Sequence, residues 1–262
     1  MASNKKNFMK KIIFFLFILG SLSSVTQAQP QAKGQKKKIE QSPFPELLSL
    51  FVDEKYEKCL YKAEKITLQE KTSAQALPYL FMSRCYYEIS KIDKDEMKEK
   101  YPNASKDCLK YATKYIVKDK ERDLYAEHED YFTELRNLAI LAAEENFEKQ
   151  KYSQSKTYYD YLTDWDSHDA GGWIMLGVSF QLAKQKKEAA SAFATAEKLL
   201  KEKTCSIENK SQKDFLKRSL ISYATKLYTE GSTKQAQDWL LLGKEWFMDD
   251  KEYQVTYSQL AN

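Results

Sequence analysis

Two histidines, His128 and His168, are the only imidazoles in 262 residues. Neither stands at a spacing that builds a metal centre or a nucleophile–histidine–carboxylate relay. Asp164, Asp166 and His168 superficially resemble the opening of a calcium loop. Such a loop needs glycine at its sixth position and a bidentate Glu at its twelfth, where this chain has Asp169 and Met175. Those polar residues suit a different role, because Asp166, Ser167 and Asp169 precede an apolar run and can cap a helix beginning near Gly171. Glu144 and Glu148 lie one helical turn apart, and a hydrolase or carbohydrate-binding reading would rest on such pairs if they met in a pocket; the same spacing is ordinary on a solvated face. Tyr158, Tyr159 and Tyr161 read as packing residues rather than a ligand cage, and no glycine-rich phosphate loop is present. The expectation is a chain with no catalytic, cofactor or metal site, and therefore not an enzyme.

The elements that would position these residues are helices. Glycine and proline are scarce, at 7 and 5 residues, while Lys, Glu, Ala and Leu abound and long β-branched runs do not occur. Within that composition one pattern recurs after 34 residues. Trp173, Leu176, Gly177, Phe180, Ala189, Phe193 and Ala196 form one copy, and Ala139, Ala142, Ala143, Asn146, Ser155, Tyr159 and Leu162 stand 34 positions earlier. Small residues such as Gly177 and Ala189 allow two antiparallel helices to approach. Large ones such as Trp173, Phe180 and Phe193 fill the space to the next pair. No pair can bury its apolar face alone, so pairs must stack.

The copy beginning at Ala170 resembles the tetratricopeptide repeat at nearly every signature position. Further copies run through Leu220, Tyr223, Ala224, Leu227, Ala236, Leu240 and Gly243, and through Tyr79, Met82, Ser83, Tyr86, Cys108, Ala112 and Tyr115. A truncated first copy offers Leu47, Leu50, Tyr56, Cys59 and Ala63. The resemblance implies an all-α, right-handed superhelical solenoid of about five hairpins over residues 43–248. A final helix near Lys251–Leu260 would close it, and the repeat domain as a whole would span residues 43–262. Three insertions interrupt the period: a charged loop at Ile92–Pro102, a helix-compatible stretch at Lys118–Glu129 that fits a longer start to the next helix, and the surroundings of Cys205–Asn209. Their composition fits solvated connectors, with partner contacts as the alternative.

In proteins of this kind the first helices of the pairs line a concave groove that takes up a protein or peptide. By that resemblance the candidate groove residues are Leu80, Arg84, Tyr87 and Glu88 in the second copy, and Ile140, Glu144 and Phe147 in the third. The fourth adds Ile174 and Gln181, and the fifth Ile221, Thr225 and Tyr228. Family members that clamp a C-terminal carboxylate use Lys and Asn where this chain has aliphatic residues and no Asn. A mixed apolar and charged groove instead suits an amphipathic segment of another protein, with packing between repeats as the alternative role of each residue. Of the four cysteines, Cys59 and Cys108 occupy slots where the repeat carries a small alanine. A bridge from Cys85 to either is open, and Cys205 has no evident partner.

The chain starts with Lys5, Lys6, Lys10 and Lys11, an apolar run from Ile12 to Leu22, and small residues up to Ala28. This is the layout of a secretory signal peptide, residues 1–28, and the run is short for a membrane span. Residues 29–42, rich in Gln and Lys, read as a flexible lead. The net charge of +4 equals the four signal lysines, so the remaining chain is neutral. Lys33, Lys36, Lys37 and Lys38 belong to the lead, which leaves the repeat body acidic. That distribution argues against nucleic acid as partner. The expected protein is exported, periplasmic or secreted from a Gram-negative bacterium, without a transmembrane segment after processing, and works as a scaffold or adaptor. The alternative is a component of an envelope-assembly or secretion machine. It resembles five-repeat outer-membrane assembly lipoproteins, but lacks their lipidated cysteine.

Overall fold

The computed structural model describes residues 43–120 and 126–261; the signal segment 1–28 and the lead 29–42 lie outside them. Every regular element among the described residues is helical. The helices are α1 (Pro45–Val52), α2 (Tyr56–Thr67), α3 (Leu77–Ser90), α4 (Asp95–Lys100), α5 (Ala104–Lys118), α6 (Glu129–Glu148) and α7 (Tyr152–Trp165). They continue with α8 (Ala170–Leu182), α9 (Lys186–Glu202), α10 (Lys210–Thr229), α11 (Thr233–Leu242), α12 (Lys244–Phe247) and α13 (Lys251–Ala261). They pack as adjacent pairs, α1/α2, α3/α5, α6/α7, α8/α9 and α10/α11, and each pair rests on the next. The all-α stack of five hairpins is the fold that the 34-residue period predicts.

The sequence explains the pairs locally. In α9 the residues Ala189, Ala192, Ala196, Leu199 and Leu200 fall at helical spacing and are all buried, giving one apolar stripe and one charged face. Helix α8 is apolar all round because it is covered on several sides: nine of its residues are buried, against α7, α9 and α10. Gly177 shows why the pairs need small residues. A Cβ built there would lie 2.7 Å from the Phe193 ring, closer than side-chain packing allows. Phe193 in turn stacks on Tyr223 at 4.3 Å and meets Trp239 edge-on, filling the space between the fourth and fifth pairs.

The turns carry the period too. Glu54, Gln150, Lys184 and Gly231 have positive φ, between 56° and 82°, and each sits between the two helices of its hairpin. The N–H of the following residue reaches back across the turn in each case: Lys55 to the Leu50 carbonyl, Lys151 to Asn146, Gln185 to Phe180 and Ser232 to Leu227, at 2.8–2.9 Å. Four of the five hairpins thus turn on one Schellman-type stop. The exception is the second, where the insertion stands.

That insertion is not a plain loop, as its charge suggested, but holds the short helix α4. The stretch before α6 forms a 3-10 turn at Ala126–His128 and a helix that starts at Glu129, ahead of the repeat frame. Helix α10 likewise starts early, at Lys210, stopped on its N-terminal side by a capping box between Asn209 and Gln212. At the far end the expected closing helix is α13, joined by the additional turn α12. The buried Tyr253 anchors it, its hydroxyl donating to the Leu240 carbonyl at 2.6 Å. Three clusters make up the core: one between the first two hairpins, one through the second to fourth with Phe215 of the fifth, and one through the fourth, fifth and closing helices.

Candidate functional site

Helices α3, α6, α8 and α10 carry all twelve predicted groove residues, and the structure sorts them into two groups. Leu80, Ile140 and Ile174 are 2 %, 4 % and 0 % exposed. They are core residues between hairpins, not groove contacts. At this position the side chain points down onto the neighbouring pair, and an aliphatic there is selected by packing. The other nine are reachable in varying degree. Thr225 and Tyr228 are exposed, and Arg84, Tyr87, Glu88, Glu144, Phe147, Gln181 and Ile221 are half-buried.

Polar contacts fix several of these side chains. The Tyr87 hydroxyl donates to Glu134 on α6 at 2.6 Å, and Lys91 lies 3.9 Å from its ring centre. Burial, with this hydrogen bond, raises the Tyr87 phenol above its usual range. Arg84 lies 5.1 Å from the Tyr131 ring and reaches the His128 ring nitrogen Nδ1 at 3.2 Å; burial lowers the guanidinium pKa. Arg218 on α10 donates to Glu144 on α6 at 2.6 Å. Nearer the helix starts, Ser211 donates to Asn137 at 2.7 Å.

Between α6, α8 and α10 lies a cleft of about 350 Å³, lined by Glu144, Phe147, Glu148, Met175, Phe215 and Arg218 among others. Only Glu144 and Phe147 of the predicted set reach it. Phe215 belongs to the extended start of α10, outside the repeat frame, so the repeat pattern could not assign it. Leu141 was also missed. It is 65 % exposed and shares a helix face with Asn137 and Glu144.

The second cleft, about 410 Å³, lies where the starts of α6 and α10 meet the α7–α8 turn, and includes Arg136, Asp166, His168 and Gln212. The acidic residues of that turn do not form a calcium loop. Asp166 accepts from the His168 N–H at 2.9 Å and Gln212 at 3.3 Å. Asp169 alone is the cap of α8, accepting from the Gly172 N–H at 2.8 Å and pairing with buried Arg136. Ser167 contributes its carbonyl, to the Trp173 indole at 2.9 Å, not a cap. Among the described residues no group of three His, Cys, Asp or Glu side chains is placed to hold a metal, and no helix is long and apolar enough to cross a membrane. All four cysteines are buried thiols.

No protein family matches the sequence, and no curated protein matches it. Among solved structures, the complex titled "TPR2AB-domain:pHSP90-complex of yeast Sti1" is similar over 88 % of this chain and 90 % of that one, with 12 % sequence identity and a TM-score of 0.31. The hairpins and their turns, described above, define the fold independently of that similarity.

Proposed function

We propose that this chain is an exported, non-catalytic scaffold of the tetratricopeptide type that holds a protein partner on its concave face. The single observation that carries the reading is that the first helices offer both apolar and charged side chains: Leu141, Tyr228 and Thr225 are exposed, and Glu144 and Arg218 line a cleft. Such a surface offers an amphipathic segment both an apolar seat and charged register marks. Asp169 caps α8 and pairs with Arg136, and Glu144 pairs with Arg218, structural duties that fit binding rather than chemistry. Export rests on the lysine-led apolar segment at residues 12–22.

Site-specific crosslinking in the native cell tests this. A photoreactive residue at Leu141 or Tyr228 should trap one recurring protein. The same group at Lys198, exposed on the second helix α9, should not. Equal trapping from both faces, or capture by the purified protein that is unchanged in Tyr87→Ala and Phe147→Ala, would remove the groove from consideration.

A further inference from the structure

We propose that Cys59 and Cys85 are the two halves of a reversible disulfide that staples the first hairpin to the second. Cys59 is on α2 and Cys85 on α3, helices that pack directly against each other. Both are 0 % exposed and share one core cluster with Leu47, Ala63 and Met82. The neighbouring Cys59 side chain, together with burial, raises the Cys85 pKa. Cys59 also lies 3.4 Å from the Leu47 carbonyl of α1, to which its thiol donates. The sequence left Cys108 as an equal partner for Cys85, and the structure decides between them. Cys108 points its thiol at the Ser105 carbonyl, 3.0 Å away, and belongs to the next cluster along the stack. Cys205 sits in the α9–α10 connection, in the last cluster.

In the closed fold both cysteines are sealed from solvent, and an oxidant has no path to them. Access comes through the first hairpin, whose α1 is only eight residues long and lies directly over Cys59. End elements with few covering contacts open at low free energy, so the pair reacts during folding or when this hairpin lifts. The oxidant is a dithiol-type or glutathione disulfide. One cysteine, as thiolate, attacks it; the oxidant's S–S bond breaks, a mixed disulfide forms and one thiolate leaves. The second cysteine, deprotonated, attacks the protein-side sulfur, which forms the Cys59–Cys85 bond and expels the second thiolate. Two protons are released and two electrons pass to the oxidant.

The test uses the full chain, refolded from urea in oxidised glutathione and alkylated under denaturing conditions without reductant. Two modified thiols are expected, with one linked peptide pair containing Cys59 and Cys85. A Cys108→Ala, Cys205→Ala variant should form the same bridge, and Cys85→Ala should form none. The oxidised chain should unfold at higher urea, and dithiothreitol should abolish the gain. Four modified thiols, a bridge to Cys108, or an unchanged unfolding midpoint would overturn the proposal. None of these outcomes bears on the concave groove.

Discussion

Arg218 on α10 reaches Glu144 on α6 at 2.6 Å, so the first helices of the third and fifth hairpins touch directly across α8. The start of α8 lies close against α10: a Cβ on Gly171 would lie 3.0 Å from the Phe215 ring and 3.1 Å from the Leu216 backbone. The ion pair therefore bridges α6 and α10, and both its side chains line the cleft there.

The bridge positions more than it stabilises. The two side chains are 50 % and 35 % exposed, and exposed ion pairs contribute about 0.2–1 kcal/mol. A double-mutant cycle with Glu144→Gln and Arg218→Gln in urea should give a coupling in that range, which shrinks in molar salt. Partner capture should change more than stability does, since either substitution opens the cleft wall.

Gly177 is the most tightly packed of the fourth hairpin's glycines. With a Cβ placed 2.7 Å from the Phe193 ring, Gly177→Leu should destabilise by about 1–3 kcal/mol, the usual cost of overpacking. Phe193 cannot yield freely because Tyr223 and Trp239 hold its other sides. Chemical denaturation checks the loss. Gly177→Ala should fall short of it but remain measurable.

The hairpin turns offer a paired test with opposite signs. Lys184 has φ 63° and Gly231 has φ 82°, the region in which a side chain is strained and glycine is not. Lys184→Gly should stabilise, or at worst be neutral, within about 1 kcal/mol, because relief of strain competes with the greater freedom glycine gives the unfolded chain. Gly231→Ala should destabilise by a similar amount, although open space surrounds its Cβ. Melting curves of the two variants decide it.

These residues also show what could be read in advance. Gly177, Ala189 and Phe193 announce the hairpins because close packing leaves little choice of side-chain size. Glu54, Gln150 and Lys184 occupy left-handed turns with no glycine to signal them, so only the spacing betrays the turn. The groove was harder. Leu80, Ile140 and Ile174 sit at positions counted as groove contacts in the repeat family, but their aliphatic side chains are drawn into the core. Phe215 comes from the early start of α10, and a strict 34-residue frame has no place for a residue that precedes its copy.

Arg136 and Asp169 form an ion pair whose side chains are only 8 % and 4 % exposed, and Asp169 also caps α8. Asp169→Asn separates the two duties, since asparagine caps a helix as well as aspartate does. What it removes is the counter-charge of a buried guanidinium that already has two nitrogens, Nε and Nη2, without a partner among the described residues. Breaking a buried pair from one side costs about 3–5 kcal/mol, whereas replacing both partners by neutral groups is often tolerated. Asp169→Asn should therefore lower stability by about that amount. The double variant Asp169→Asn, Arg136→Met should recover much of the loss, because the methionine fills the same slot beside Phe215 without a charge to solvate. Urea unfolding of the two variants measures both. If the double variant proves no more stable than Asp169→Asn alone, then the cap or the packing, and not the uncompensated charge, governs the joint between α6 and α8.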